Sequence, residues 1–168
     1  MNETLKNILA RKSINTFSDK PISKENLELL LKAGMAAPSG KDIRPWRFIV
    51  VTDKETLAKT SVALSATEKI KGNVAAIVVC GDSSESERFW TFDCSLAAEN
   101  IMLAAQSAGI GSHWISIRPN EERINNIKGL FSFPGSVEPL CAIVLGYPEQ
   151  DITPKDKFDS NNIHWEKW

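Results

Sequence analysis

With 168 residues, 42% of them apolar and 24% charged, the chain has an ordinary globular composition. Its length suits one domain over residues 1–168, enough to bury about two-thirds of the unfolded surface. Twenty basic residues are offset by twenty-one interleaved acidic ones to a net charge of -1, which leaves no cationic field of the kind that nucleic acid requires. Val74 to Cys80 is the longest apolar run and is too short to span a membrane, and Met1-Asn2-Glu3-Thr4 lacks the basic and apolar parts of an export signal, so a cytoplasmic protein is expected.

Leu5, Ile8 and Leu9 mark a short first helix. Ser23 can cap a second, in which Leu27, Leu30, Leu31 and Gly34 share one face and after which Pro38 prevents continuation. Trp46 to Thr52 alternates like a strand, Asp53 can cap a helix from Lys54, and Val74 to Cys80 reads as a strand buried on both faces. A long helix is expected from about Phe89 to Ser107, with Leu96, Ala97, Asn100, Ile101, Ala104, Ala105 and Ala108 as its apolar stripe. Gly109 and Gly111 break it, His113 to Ile117 forms a strand, Asn120 can cap a further helix, and Val137 to Leu145 is the last long strand. Cys80, Cys94 and Cys141 are an odd set at wide spacings, and buried reduced thiols are expected rather than disulfides. After Pro148 about twenty polar, irregular residues carry Phe158, Ile163, Trp165 and Trp168, so this tail must dock, on its own chain or on a symmetric partner.

Three stretches carry groups with recognisable chemistry. Arg11, Lys12 and Ser13 offer two cations and a hydroxyl directly after a helix, a set suited to a dianionic phosphate and a polyhydroxyl chain, although a solvated helix end has the same composition. In Ala37-Pro38-Ser39-Gly40-Lys41-Asp42, Pro and Gly fix a tight loop whose hydroxyl and N–H groups could meet a heteroaromatic ring; a plain turn would look alike. Lys155 and Lys157, two apart, point the same way in an extended segment and could reach one phosphate.

Taken together, Arg11-Lys12-Ser13-Ile14-Asn15-Thr16-Phe17, Pro21-Ile22, Ala37-Pro38-Ser39-Gly40 and Pro45-Trp46 resemble, in order and spacing, the opening signature of the nitroreductase family. Asp93-Cys94-Ser95-Leu96-Ala97-Ala98-Glu99-Asn100 resembles its long central helix, Gly109-Ile110-Gly111 with Trp114 its flavin-edge strand, and Gly146-Tyr147-Pro148 its exit to the tail. Asp156-Lys157-Phe158 with Ile163-His164-Trp165 resembles the tail of a compact bacterial subgroup, so the likeness covers essentially the whole chain.

That resemblance implies an α+β fold with a mixed central sheet flanked by helices. It implies an intertwined homodimer in which residues 148–168 exchange onto the partner, with FMN at the subunit interface. By the same likeness Arg11, Lys12 and Ser13 would hold the phosphate and ribityl chain, and Lys155 and Lys157 would close on the phosphate. Pro38, Ser39 and Gly40 would come from the other subunit, Lys69 would stand near the pyrimidine end of the ring, and Ile115 and Ser116 near its N5. Asn15, also at the cofactor, stands where many members carry Arg or Lys, and Arg44 where many carry Gln. Lys41, Arg44, Phe89 and Trp90 would border the substrate slot, with core packing as the alternative for the two aromatics.

The implied activity passes hydride from NADH or NADPH through FMN to a nitroaromatic, quinone or similar small acceptor in a ping-pong cycle. The cofactor carries the chemistry, so no catalytic side chain is required. A flavin-binding storage or sensing protein without turnover is the alternative. Other sites fit less well: Gly109-Ile110-Gly111 has no third Gly at position 114, His113 and His164 have no metal-ligand spacing, and there is no Walker loop or Gly-x-Ser-x-Gly elbow.

Overall fold

Four helices begin where a side-chain oxygen accepts a first-turn N–H, a contact that typically contributes about 1 kcal/mol. Asn2 accepts from Leu5, Ser23 from Asn26, Asp53 from Thr56 and Asn120 from Arg123. In this computed structural model, which describes residues 1–70, 72 and 74–168, they open α1 (Glu3–Ala10), α2 (Lys24–Met35), α3 (Lys54–Ala63) and α5 (Glu121–Phe131). The longest helix, α4 (Trp90–Ser107), starts without a side-chain cap. Among the described residues no helix is long and apolar enough to cross a membrane.

The strands β1 (Trp46–Val51), β2 (Ala75–Asp82), β3 (Gly111–Ser116) and β4 (Val137–Gly146) form one sheet in the order β1-β2-β4-β3. All three ladders are antiparallel, and the parallel component is a single bridge, Ser13 to Ser112, at the outer edge of β3. The central strands β2 and β4 are apolar at nearly every position because both of their faces are covered. Strand alternation then sorts the core. Ala75, Ile77, Val79, Cys141, Ile143 and Leu145 meet α2 and α4, whereas Ala76, Val78, Cys80, Ala142 and Val144 face the residues of α3 and α5. The three cysteines are free and buried, as expected.

One expectation is corrected. The buried stripe of α4 runs through Trp90, Cys94, Ala97, Ala98, Ile101, Met102 and Ala105, while Leu96 is 46% exposed and Ala108 lies at the surface. Apolar residues occupy several faces of this helix, and the face with Trp90, Ile101 and Met102 turns inward while Phe92 and Leu96 stay at the surface. In the tail, residues 151–168 are all exposed, and this chain alone does not bury Phe158, Trp165 or Trp168.

Candidate functional site

The segment after α1 is held in extended form along the open edge of β3. The Ile14 N–H donates to the Ser112 carbonyl at 2.9 Å, Ile14 is 2% exposed, and the Ser18 N–H reaches the Tyr147 carbonyl at 2.8 Å. Glycine is needed at 111 for this fit, since a Cβ there would lie 2.7 Å from Ile14 Cγ1. With Ile14 pointing inward, alternation turns Ser13 and Asn15 outward together. Arg11 lies 3.4 Å from Glu99 of α4 and Lys12 Nζ 3.5 Å from Asp151, and both cationic side chains are only 19% exposed. They are therefore not the freely solvated helix end that the composition allowed.

At the start of this segment Ile8, Leu9, Arg11, Lys155, Lys157 and Phe158 line a cavity of about 580 Å³. Three of the expected phosphate ligands thus meet at one place although residues 11 and 155 are far apart in sequence. Toward the other end, Lys69, His113, Trp114, Ile115, Ser116 and Arg123 border a second cavity of about 390 Å³. Lys69 Nζ donates to Asn15 Oδ1 at 2.6 Å, so a cation stands beside Asn15. Ile115 is buried at 6% exposure, whereas Ser116 is exposed, its Oγ accepting from Trp114 Nε1 at 3.0 Å and its carbonyl from Arg123 Nη1 at 2.7 Å. Burial, and next the Lys69 charge, push the His113 imidazole below its ordinary value and favour the neutral ring.

The loop 37–44 contributes to neither cavity. It sits at the start of α4, where the Gly40 N–H donates to Asp93 Oδ1 at 2.9 Å and the Arg44 N–H to Ser39 Oγ at 3.0 Å. Lys41, Asp42 and Arg44 all have left-handed backbones, with φ of 54°, 57° and 58°, a conformation costing roughly 1–2 kcal/mol for each L-residue. Arg44 forks onto the Asp42 carboxylate at 2.6 and 2.7 Å, and that ion pair lowers the Asp42 pKa and raises that of Arg44; Lys41 remains exposed. Phe89, 44% exposed, packs on Gly40, where a Cβ would come within 3.1 Å of its ring. Trp90 does not share that role: it is 7% exposed in the α2/α4 core, with the Arg118 guanidinium 5.1 Å over its ring.

Sequence reasoning missed Asp93 as a loop partner, Glu99 and Asp151 as the acids beside Arg11 and Lys12, and His113 and Arg123 beside Lys69. Asp93 and Glu99 stood inside the quoted helix motif and His113 at the start of an expected strand, but nothing local signals that Arg123 reaches back to β3.

A helix-flanked antiparallel sheet with a basic segment along one edge and a cavity toward each end of that segment defines an α+β protein. The sequence model of the Nitroreductase family matches residues 8–91 and 72–147, and the chain belongs to that family. A protein of Archaeoglobus fulgidus, provisionally named NADH dehydrogenase/NAD(P)H nitroreductase, is 42% identical over the full length of both chains. A crystal structure from Parabacteroides distasonis with the same provisional name is 42% identical, covers both chains completely and superposes with a TM-score of 0.96. A structure named FMN-dependent nitroreductase from Clostridium difficile is 30% identical, with a TM-score of 0.90 over 98% of this chain and 99% of its own.

Proposed function

We propose that the chain is an FMN-dependent oxidoreductase that takes electrons from NADH or NADPH and delivers them to a nitroaromatic, quinone or similar electron-poor acceptor in a ping-pong cycle. The observation that carries this reading is the layout of the cleft. Arg11, Lys155 and Lys157 gather at one cavity, Lys69 and Ser116 at the other, and the outward face of Ser13 and Asn15 lies between them.

This donor set fits FMN from end to end. Cations at the first cavity offset a phosphate dianion, the Ser13 hydroxyl and Asn15 amide can bond a polyhydroxyl chain, and the exposed edge near Ser116 offers a bed for a flat ring. When bound, FMN supplies two-electron transfer, accepting hydride from the nicotinamide and reducing the acceptor that replaces it. The protein supplies position and charge. Lys69, held by Asn15, places a positive charge at the ring end of the cleft and favours the electron-rich form. Phe89, Lys41 and Arg44, exposed around the Gly40 loop, form the wall presented to substrate.

The active form is a homodimer in which Pro38, Ser39 and Gly40 face the partner's cofactor and residues 148–168 pack on the partner. Support comes from apolar surface that one chain leaves uncovered: Leu5, Ile8 and Leu9 on α1, Phe92 and Leu96 on α4, and Phe158, Trp165 and Trp168 in the tail.

Turnover tests the reading. The purified protein is expected to carry FMN and to oxidise NADH or NADPH in proportion to added menadione or nitrofurazone. Bound FMN without turnover would favour a storage or sensing role, and a protein unable to hold FMN would refute both.

A further inference from the structure

Asp93 is a carboxylate that a soluble protein has reason to keep at the surface, yet it is 3% exposed inside the first turn of α4. Its two oxygens are aimed at different elements. Oδ1 accepts the Gly40 N–H at 2.9 Å, and Oδ2 lies 3.5 Å from the Ser86 hydroxyl, in the turn that leads into α4. The helix start stabilises a negative charge there, and burial strengthens each hydrogen bond by excluding water. The Asp93 charge also acts on its neighbour: after burial itself, it is the main reason the Cys94 thiol is pushed up to about 12.

What Asp93 holds is a loop closed by its own turn bonds, Asp42 N–H to the Ser39 carbonyl at 3.1 Å and Ile43 N–H to the Gly40 carbonyl at 3.2 Å, yet strained in its backbone. Lys41, Asp42 and Arg44 are all left-handed, and a strained backbone persists only where its surroundings over-determine it. The exposed Asp42–Arg44 pair is a weak restraint, and the Ser39–Arg44 contact is internal to the loop. Beyond the packing of Phe89 on Gly40, the Gly40–Asp93 bond ties the loop tip to a rigid helix. We propose that Asp93 is a positioning residue, which fixes the Ser39–Gly40 turn and thereby aims it at the flavin ring of the partner's site. This rests on the flavin reading above; the clamp itself does not.

The test separates the two. In Asp93→Ala the Gly40 N–H loses its acceptor, so hydrogen exchange across residues 37–44 of the intact dimer should speed up about tenfold. In Asp93→Asn, whose amide oxygen can still accept, it should remain near wild type. FMN affinity, read by flavin fluorescence, and KM for menadione should worsen about tenfold in Asp93→Ala, with kcat changed less, and Asn should restore both. Cys94→Ala serves as the control, loosening the same turn of α4 without touching the loop. Unchanged exchange at 37–44 in Asp93→Ala would overturn the clamp. Faster exchange with unaltered FMN affinity and KM would overturn the aiming role, as would equal losses in Cys94→Ala. If no variant, wild type included, binds FMN, the flavin reading and the aiming role fall together, while the exchange result still decides the clamp.

Discussion

Two regions carry cations to the same cavity and are built in opposite ways. The segment from Arg11 to Asn15 is fastened to the sheet: Ile14 is 2% exposed and bonded to β3. The tail beyond Pro148 is fastened to almost nothing of its own chain. Glu149 N–H reaches the Thr16 carbonyl at 3.3 Å and Asp151 meets Lys12 at 3.5 Å, but Trp165 is 80% and Trp168 101% exposed. Burying one such aromatic is worth about 1.5–3 kcal/mol, and this chain by itself leaves that stabilisation unrealised at Phe158, Trp165 and Trp168. One half of the proposed phosphate grip is thus fastened to its own sheet, and the other is proposed to be completed by dimerisation.

The largest effect should come from removing the second half. Deleting residues 149–168 is expected to weaken FMN binding by a hundredfold or more and to shift the protein toward monomer, followed by fluorescence and sedimentation. A truncated dimer of full stability would erase the contrast between the regions. Next, Ile14→Ala should lower unfolding stability by about 3 kcal/mol, as expected for a large side chain lost from a packed site, whereas Trp168→Ala should leave the thermal stability of the monomer unaltered and loosen only the dimer. Chemical denaturation at several protein concentrations separates these outcomes. Arg11→Ala should then cost about 2 kcal/mol of FMN affinity and Lys157→Ala about 1 kcal/mol, the fixed cation outweighing the one on the tail. Equal effects would show that the tail is as rigid as the anchor.

The smallest effect is a pH dependence confined to the anchored side. His113 has a lowered pKa in the folded protein, mainly through burial, so as pH falls below about 6.5 the unfolded chain takes up a proton that the native ring resists. Its contribution is therefore absent at higher pH and destabilising as pH drops through that range toward the folded value. His113→Gln should flatten the stability profile there; an unchanged slope would mean that the imidazole is freely solvated.

Most of the framework was legible because it is local. Ser23, Asp53 and Asn120 cap helices at the expected residues, and the apolar runs at Val74 and Val137 become the two central strands. The face of α4 was misread because alanines satisfy several faces at once, and Trp90 entered the core because its bulk fills the space beside Gly81, where a Cβ would be 2.6 Å from its ring. Arg11 to Ser13, Lys69 and the tail lysines were singled out through family spacing as one proposed set. The links between them were not. Asn15 and Lys69 are 54 positions apart, and Gly40 and Asp93 are 53 apart, so only the folded sheet brings them within hydrogen-bond reach.

The phosphate grip is tested most directly by titrating flavin-free protein with FMN and with riboflavin in parallel. The two share ring and ribityl chain and differ in the phosphate alone. If Arg11, Lys155 and Lys157 hold that group, FMN should bind about a hundredfold more tightly or better, and the margin should shrink as salt is raised. Equal affinity for the two, at any ionic strength, would contradict it.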